Sequence, residues 1–165
     1  MTKVFLLKEL KAFAEEKTKD IILPVRMQED DEEPPKPRAA DIYMMRLISS
    51  SAAQKVAPYI IHQVITGRDA QLSGQRVSGS TVVRTIFSVY NEDEQEGSLM
   101  LLNLIERLRI SLLEQITIVD QYQLDLQDGL DILIYNEDTW PYYAGEMIST
   151  WIMPSVERNV RKYVT

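Results

Sequence analysis

The chain has 165 residues, 45% hydrophobic and 26% charged, which is enough to enclose one hydrophobic core and too few for two. Its 18 basic and 25 acidic residues give a formal charge of −7, which disfavours a nucleic-acid binder that works by neutralising phosphates. With no cysteine and one histidine, the sequence excludes disulfides and thiolate metal sites and offers no imidazole cluster. We therefore expect one domain over residues 1–165, with no cofactor and no metal.

The N-terminal segment does not have the composition of a targeting signal. Charged residues are spread over its first 20 positions, and no small-residue cleavage site follows an apolar centre. No run of apolar residues approaches the roughly 18 that a membrane-spanning helix needs. The sequence therefore predicts a soluble protein that is made and assembled in a cytoplasm.

The first 40 residues predict one helix and one charged loop. Apolar residues recur at helical spacing between Thr2 and Lys19. The run IILPVRM (21–27) predicts an edge strand or an extended connector, because proline cannot donate a hydrogen bond to a sheet. Residues 28–38 combine five consecutive acids with three prolines, which predicts a flexible loop or hairpin tip in solvent. An acidic loop of this kind also has the composition to become ordered against a basic partner.

Three strands are expected next in the chain. DIYMMRLI (41–48) predicts a short strand, and residues 58–66 and 81–90 predict two longer ones bounded by proline, glycine or asparagine. In the last of these, one face is expected to be buried and the other mixed. The connection 67–80 contains three glycines and no periodicity, which predicts a long flexible hairpin loop that contacts another chain. It carries no phosphate-binding glycine motif.

The strongest helical pattern lies near residues 94–115. Its apolar residues recur on one face: Leu101, Leu104, Ile105, Leu108, Leu112 and Leu113. Asn91 with Glu94 resembles a capping box, while Gly97 and Ser98 offer a later start equally well. The polar face is expected to meet solvent, with a subunit interface as the alternative.

The last third of the chain predicts three strands and a tail. YQLDL (122–126) and LDILIY (130–135), separated by an Asp-Gly turn signal, predict a hairpin. A polar and aromatic loop (136–145) leads to a final strand, EMISTWIMP (146–154), and then to a basic tail (155–165). The element order predicts an α+β fold: an antiparallel β-sheet with a long amphipathic helix packed on one face and an N-terminal helix.

Few residues are candidates for catalysis. His62 lies in a predicted strand without a serine or aspartate at a recognisable spacing, so we interpret it as a structural or surface histidine. Asp125, Asp128 and Asp131 lie around a predicted turn, where aspartate is selected for backbone reasons. We therefore expect no enzymatic activity.

An aromatic group near the C-terminus has two interpretations. It comprises Trp140, Tyr142, Tyr143 and Trp151. Either these rings close one end of the sheet, or Trp140 and its neighbours form a patch that binds a partner, since tryptophan and tyrosine are enriched in such patches.

Five segments between residues 56 and 154 occur in a distinctive order: TVVRTIFSVYNEDEQ, GSLMLLNLIERLRISLLEQ, YQLDL, GLDILIY and DTWPYYAGEMISTWIMP. This order resembles that of the tail terminator, or tail completion, proteins of long-tailed bacteriophages. Residues 20–55 depart from it and resemble an inserted segment. The resemblance implies a structural virion protein of the tail or neck, assembled in the host cytoplasm. It implies a ring, usually of six subunits, that caps the tail tube, ends tube polymerisation and joins the tail to the head connector.

The same resemblance implies the partners of the protein: further copies of itself, the tail tube protein and the head connector or stopper protein. DNA would pass through the channel without specific binding, because a negative lumen repels phosphate, and no membrane is involved. We expect interface residues in the 67–80 loop, the aromatic group and the basic tail. They are Arg68, Asp69, Gln71, Gln75, Arg76, Trp140, Tyr142, Tyr143, Arg158, Arg161 and Lys162.

Three other functions remain as alternatives. A head-closure or connector protein of the same neck would share the small size and the lack of catalysis. A binding module outside phages or a small α+β hydrolase would instead be a stable monomer with a compact pocket.

Overall fold

Two helices and seven strands make up residues 1–47 and 56–158, the part of the chain that the computed structural model describes. In chain order they are α1 (Lys3–Thr18), β1 (Asp41–Met44), β2 (Tyr59–Ala70), β3 (Ser78–Tyr90), α2 (Glu94–Gln115), β4 (Thr117–Ile118), β5 (Tyr122–Leu124), β6 (Leu130–Ile134) and β7 (Tyr142–Met153). The α+β class is confirmed.

The strands form one mixed sheet in the order β1-β2-β3-β7-β5-β4, with β6 also paired to β7. All pairs are antiparallel except β1 with β2, so the prediction of a purely antiparallel sheet was wrong at this edge. Parallel neighbours need a crossover of about a dozen residues, and residues 45–58 provide a connection of that length.

One hydrophobic core collects the buried side chains of both helices and of one face of the sheet. On α1, Leu6, Leu10 and Ala14 are buried at the predicted helical spacing. On β3, the predicted face is buried without exception: Val83, Thr85, Phe87 and Val89. A second, smaller cluster on the opposite face of the sheet contains Ala57, Tyr59, Ile61 and Tyr142.

The N-terminal connector ends in an irregular hairpin. Leu23 and Arg38 form an isolated antiparallel bridge, so the predicted acidic, proline-rich loop, residues 28–38, ends at the bridge and its residues 28–37 lie between the bridged positions. The Arg38 guanidinium donates to the carbonyl oxygens of Val56 and Pro58, which ties this hairpin to the start of β2.

The β2–β3 hairpin is longer than predicted. Ala70 pairs with Ser78, so the connecting loop is residues 71–77 and not 67–80. The prediction failed because residues 65–69 of β2 are exposed on both faces, and without a buried face a strand shows no alternation of apolar residues.

The predicted hairpin of residues 122–135 does not form. β5 pairs with β7 at Trp151 and Ile152, and β6 pairs with β7 from Gly145 to Ser149. Both pairings are antiparallel, so β5 and β6 run in the same direction. Between them the chain stays on the edge of β7, because the Asp125 amide donates to the Thr150 carbonyl at 2.8 Å. β7 itself begins at Tyr142, four residues before the predicted start at Glu146.

The bounds of α2 agree with the prediction, but its capping residue does not. Asp93 is the N-cap: its carboxylate accepts from the amides of Gln95 and Glu96, at 3.0 Å each. The predicted alternatives, Asn91 and Gly97–Ser98, are not caps. Asn91 instead accepts a hydrogen bond from the Asp93 amide, which positions the true cap.

Candidate functional site

A groove of about 780 Å³ lies between the first turns of α2 and the segment that joins β6 to β7. Its lining includes apolar and acidic side chains: Leu99, Ile134, Tyr135, Trp140, Glu94, Glu137 and Asp138. We call it the acidic-rimmed groove. Leu99 is 61% exposed and Trp140 52% exposed, so large apolar side chains meet solvent here. An exposed apolar patch with a polar rim is typical of a surface that binds another molecule.

Trp140 is held in place although its ring is exposed. Its indole Nε1 donates to the Glu92 carbonyl at 3.0 Å, and its amide donates to Asp138 Oδ1 at 3.4 Å. The neighbouring Thr139 hydroxyl donates to the Tyr142 carbonyl at 2.7 Å, which closes the loop onto β7. A fixed aromatic ring loses little entropy when a partner binds to it.

The two tyrosines of the aromatic group lie at the base of the groove on opposite faces of the sheet. Tyr142 is buried on the second face, where its hydroxyl accepts from Arg26 Nη1 at 2.9 Å and thereby raises the Arg26 pKa. Tyr143 lies on the helix face, and burial raises its pKa. Trp151 is fully buried near the other end of β7. The fold therefore brings Trp140, Tyr142 and Tyr143 together and leaves Trp151 apart.

A glycine of α2 allows the Tyr143 ring to approach the helix. A Cβ at Gly97 would overlap that ring. We therefore expect Gly97→Ala to lower the free energy of unfolding by about 1 to 3 kcal/mol, although alanine ordinarily stabilises a helix relative to glycine by about 1 kcal/mol. Urea titration followed by circular dichroism measures this.

The control for this prediction removes the ring. In a Tyr143→Ala background, Gly97→Ala should be neutral or stabilising, because the overlap no longer exists. An equal destabilisation in both backgrounds would contradict the packing of Tyr143 on Gly97.

Three acids line the groove: Glu94, Glu137 and Asp138. No ion pair in the described ranges, 1–47 and 56–158, involves any of the three. Glu92, which lies outside the lining, interacts with Arg26 at longer range. The sequence contains no lysine, arginine or histidine between Arg109 and Arg158. The negative charge of these three rim acids is therefore not neutralised by an ion pair within the described residues.

The second surface is the outer half of the β2–β3 hairpin, residues 65–80, which we call the hairpin arm. Every side chain from Ile65 to Ser78 is exposed or half-buried, and Leu72 at its tip is 67% exposed. Gln71 Nε2 donates to the Gln75 carbonyl at 2.9 Å across the loop.

Several predicted interface residues lie on or beside the arm. Arg158 donates to Gln71 Oε1, so the start of the basic tail reaches the arm. Arg68 and Asp69 lie on opposite faces of β2, inside the strand and not in a loop. Arg68 borders a depression of about 500 Å³ shared with Asp125 and Asp128.

The remaining predicted residues divide as follows. Arg76 is exposed in the loop of the arm. Arg161 and Lys162 lie outside the residues that the structure describes. The predicted residues thus form two groups near opposite ends of β7, one at the arm and one at the acidic-rimmed groove.

The candidates for catalysis are occupied with structural contacts. His62 is buried; its Nδ1 lies 2.9 Å from Thr85 Oγ1, and burial lowers its pKa to about 4. Asp128 accepts a hydrogen bond from the Thr150 hydroxyl at 2.6 Å, and Asp125 accepts from the Gln127 amide at 3.0 Å. Within residues 1–47 and 56–158, no three His, Asp or Glu side chains are grouped as a metal site requires. Neither helix there is long and apolar enough to cross a membrane.

No protein-family model matches the chain, and no curated protein shows significant similarity to it. The function must therefore be argued from the two surfaces.

Sequence reasoning named Trp140 but missed Leu99, Ile134, Tyr135 and the acids beside them. Leu99 was detectable as a leucine outside the buried stripe of α2. The acids carried no signal of their own, because Glu94 and residues 137–138 are distant in sequence and meet only in the fold.

Proposed function

We propose that the protein is a structural virion component that forms a ring, caps the tail tube of a long-tailed bacteriophage and joins the tail to the head connector. The order of its elements from β3 to β7 supports this. A long amphipathic helix supports it as well, and we assign that helix to α2. Its buried Leu104, Ile105 and Leu108 belong to the same core as Phe87 and Met147 of the sheet. The proposed role includes no catalytic step.

The hairpin arm is the observation that carries the proposal. Among the described residues, no strand accompanies the β2–β3 hairpin beyond the Gly79–Met153 pair, so residues 70–78 project as a two-stranded tip. Such a tip is marginally stable in water by itself, and a surface that packs against it would stabilise it. A neighbouring subunit or the tube can supply that surface. When each arm packs on the next subunit, the contact is head-to-tail, and such contacts close into a ring when the rotation permits.

Two further features suit the proposed ring. In the described part of the chain, the β6 edge that faces away from β7 pairs with no other strand, so it offers backbone donors and acceptors to a neighbour. The formal charge of −7 suits a channel through which DNA passes, because a negative wall does not retain phosphate. The proposed partners are further copies, the tail tube protein and the head connector.

Shortening the arm is expected to abolish tail termination without unfolding the protein. Ala70 and Ser78 form the last pair of the ladder, so an Asn-Gly turn between them can replace residues 71–77 and keep every pair of β3 with β2 and with β7. In a phage that carries this gene, the variant should produce overlong tubes without heads, as should a deletion of the gene. Electron microscopy of lysates measures both.

The matched control keeps the arm and changes one exposed side chain in its loop, Ser73→Ala, which should leave tail length normal. Normal-length tails beside heads that leak DNA would instead identify a head-closure protein. Intact virions from the deletion would exclude a role in the neck altogether.

A further inference from the structure

We propose that the acidic-rimmed groove binds the basic C-terminal segment, residues 159–165, of a second copy of this chain. This inference rests on the proposed function for the closure of a ring, whereas the contact itself requires only two copies.

The groove has the two properties that define its occupant. It exposes the fixed Trp140 ring and Leu99, against which an apolar or aromatic side chain gains contact area. Its rim carries Glu94, Glu137 and Asp138 without ion-pair partners among the described residues. The occupant should therefore carry apolar side chains and more than one positive charge.

The C-terminal segment of this sequence has that composition. NVRKYVT (159–165) contains two cations, two valines and a tyrosine, and no acid. Its cations are Arg161 and Lys162. An arginine or lysine over the exposed face of Trp140 would add a cation–π contact, which favours cations over neutral polar groups.

The segment cannot reach the groove of its own subunit. β7 runs for 12 residues from Tyr142, which lines the groove, to Met153, so its ends lie roughly 36 Å apart. Beyond Met153 the chain continues to Arg158, which contacts Gln71 on the far side of the last β2–β3 pair. Residues 159–165 extend at most about 25 Å. The groove that they occupy must therefore belong to another copy.

This arrangement also explains why the two groups of predicted interface residues lie near opposite ends of β7. In each subunit the tail begins near one end of β7 and the groove lies near the other end. A tail bound in the groove of the next copy is therefore a head-to-tail contact, which repeats from copy to copy.

A charge swap in the full-length protein tests the contact. The variant Arg161→Glu/Lys162→Glu reverses the tail, and Glu137→Lys/Asp138→Lys reverses the rim. Each alone should weaken self-association at least tenfold by sedimentation velocity at low salt, because like charges then face each other. A mixture of the two variants should associate again, because each reversed tail meets a reversed groove.

The control makes the same change of charge elsewhere: Asp30→Lys/Asp31→Lys in the acidic loop should leave self-association unchanged. Three results would overturn the inference: a wild-type protein that stays monomeric up to about 1 mM, single variants that associate as the wild type does, or a mixture that stays dissociated.

A crosslink provides an independent measurement, since the chain contains no cysteine. L99C in one copy and Y163C in another should form a disulfide-linked dimer under mild oxidation, whereas V4C, on the exposed side of α1, should not link to Y163C. Equal yields from the two pairs would contradict the contact. These measurements are independent of phage assembly. If the mixed variants associate again while the gene deletion still gives normal tails, the inference stands and the proposed function is rejected.

Discussion

Replacing Trp151 with alanine is expected to lower the free energy of unfolding by about 3 to 5 kcal/mol. The side chain is fully buried on β7, and its indole Nε1 donates to the Ser149 hydroxyl at 2.9 Å. Truncation would leave a cavity in the core and remove that hydrogen bond from a buried serine. Because small domains are stable by only about 5 to 15 kcal/mol, this loss should be evident in a urea titration followed by circular dichroism.

The second tryptophan of the chain is the matched control. Trp140 is half exposed in the acidic-rimmed groove, so Trp140→Ala should lower the free energy of unfolding by about 1 kcal/mol or less. Similar losses for the two variants would contradict the placement of Trp151 in the core and Trp140 on the surface.

Lowering the pH from 7 to 4 is expected to remove about 3 kcal/mol of stability through His62 alone. Burial lowers the pKa of His62 to about 4 in the folded protein, against about 6.5 in the unfolded chain. Between these values the unfolded state binds a proton that the folded state does not. The contribution of His62 to the free energy of unfolding is therefore fully present above pH 6.5 and is lost as the pH falls from 6.5 towards 4. Below pH 4 it no longer changes.

Comparison with His62→Gln isolates this effect from other titrating groups. The glutamine is neutral at every pH, so the difference in unfolding free energy between wild type and variant should change by about 3 kcal/mol from pH 7 to pH 4. Urea titrations at pH 7.5, 6, 5 and 4 measure it. Parallel curves for the two proteins would show that His62 is not buried in its neutral form.

The helices and the buried face of β3 were predictable because each has a periodic pattern with a single cause. Leu6, Leu10 and Ala14 recur at helical spacing because one side of α1 faces the core. Val83 and Phe87 alternate with half-buried residues because one face of β3 faces the same core. Burial on one face leaves a pattern in the sequence, so the type of element can be inferred from it.

The hairpin arm and the strands beside β7 were not predictable for the converse reason. Gly67 and Gly79 have the composition of a loop, yet both lie within the β2–β3 ladder, where residues 65–69 of β2 are exposed on both faces. The Asp-Gly sequence before β6 does adopt the positive φ that such a turn requires, since Gly129 has a φ of 87°. It does not produce a hairpin because the edge of β7 supplies backbone partners to both β5 and β6.

The candidate site was predictable only in part. Trp140 stood out as an aromatic residue in a loop, but Leu99 belongs to α2 and Glu137 to the β6–β7 segment. Nothing local connects these residues. Their meeting depends on where α2 lies relative to the end of β6.

The sequence by itself determined the α+β class, both helices, the buried face of β3 and the absence of any cysteine chemistry. Only the tertiary structure decided the parallel β1, the pairing of β5 and β6 with β7, the length of the hairpin arm and the acidic-rimmed groove. The physical reason is that burial of one face acts on neighbouring residues and leaves a local period. Strands are instead paired by backbone hydrogen bonds between distant segments. The backbone groups that form these bonds are nearly the same whatever the side chain, so the pairing leaves no local pattern in the sequence.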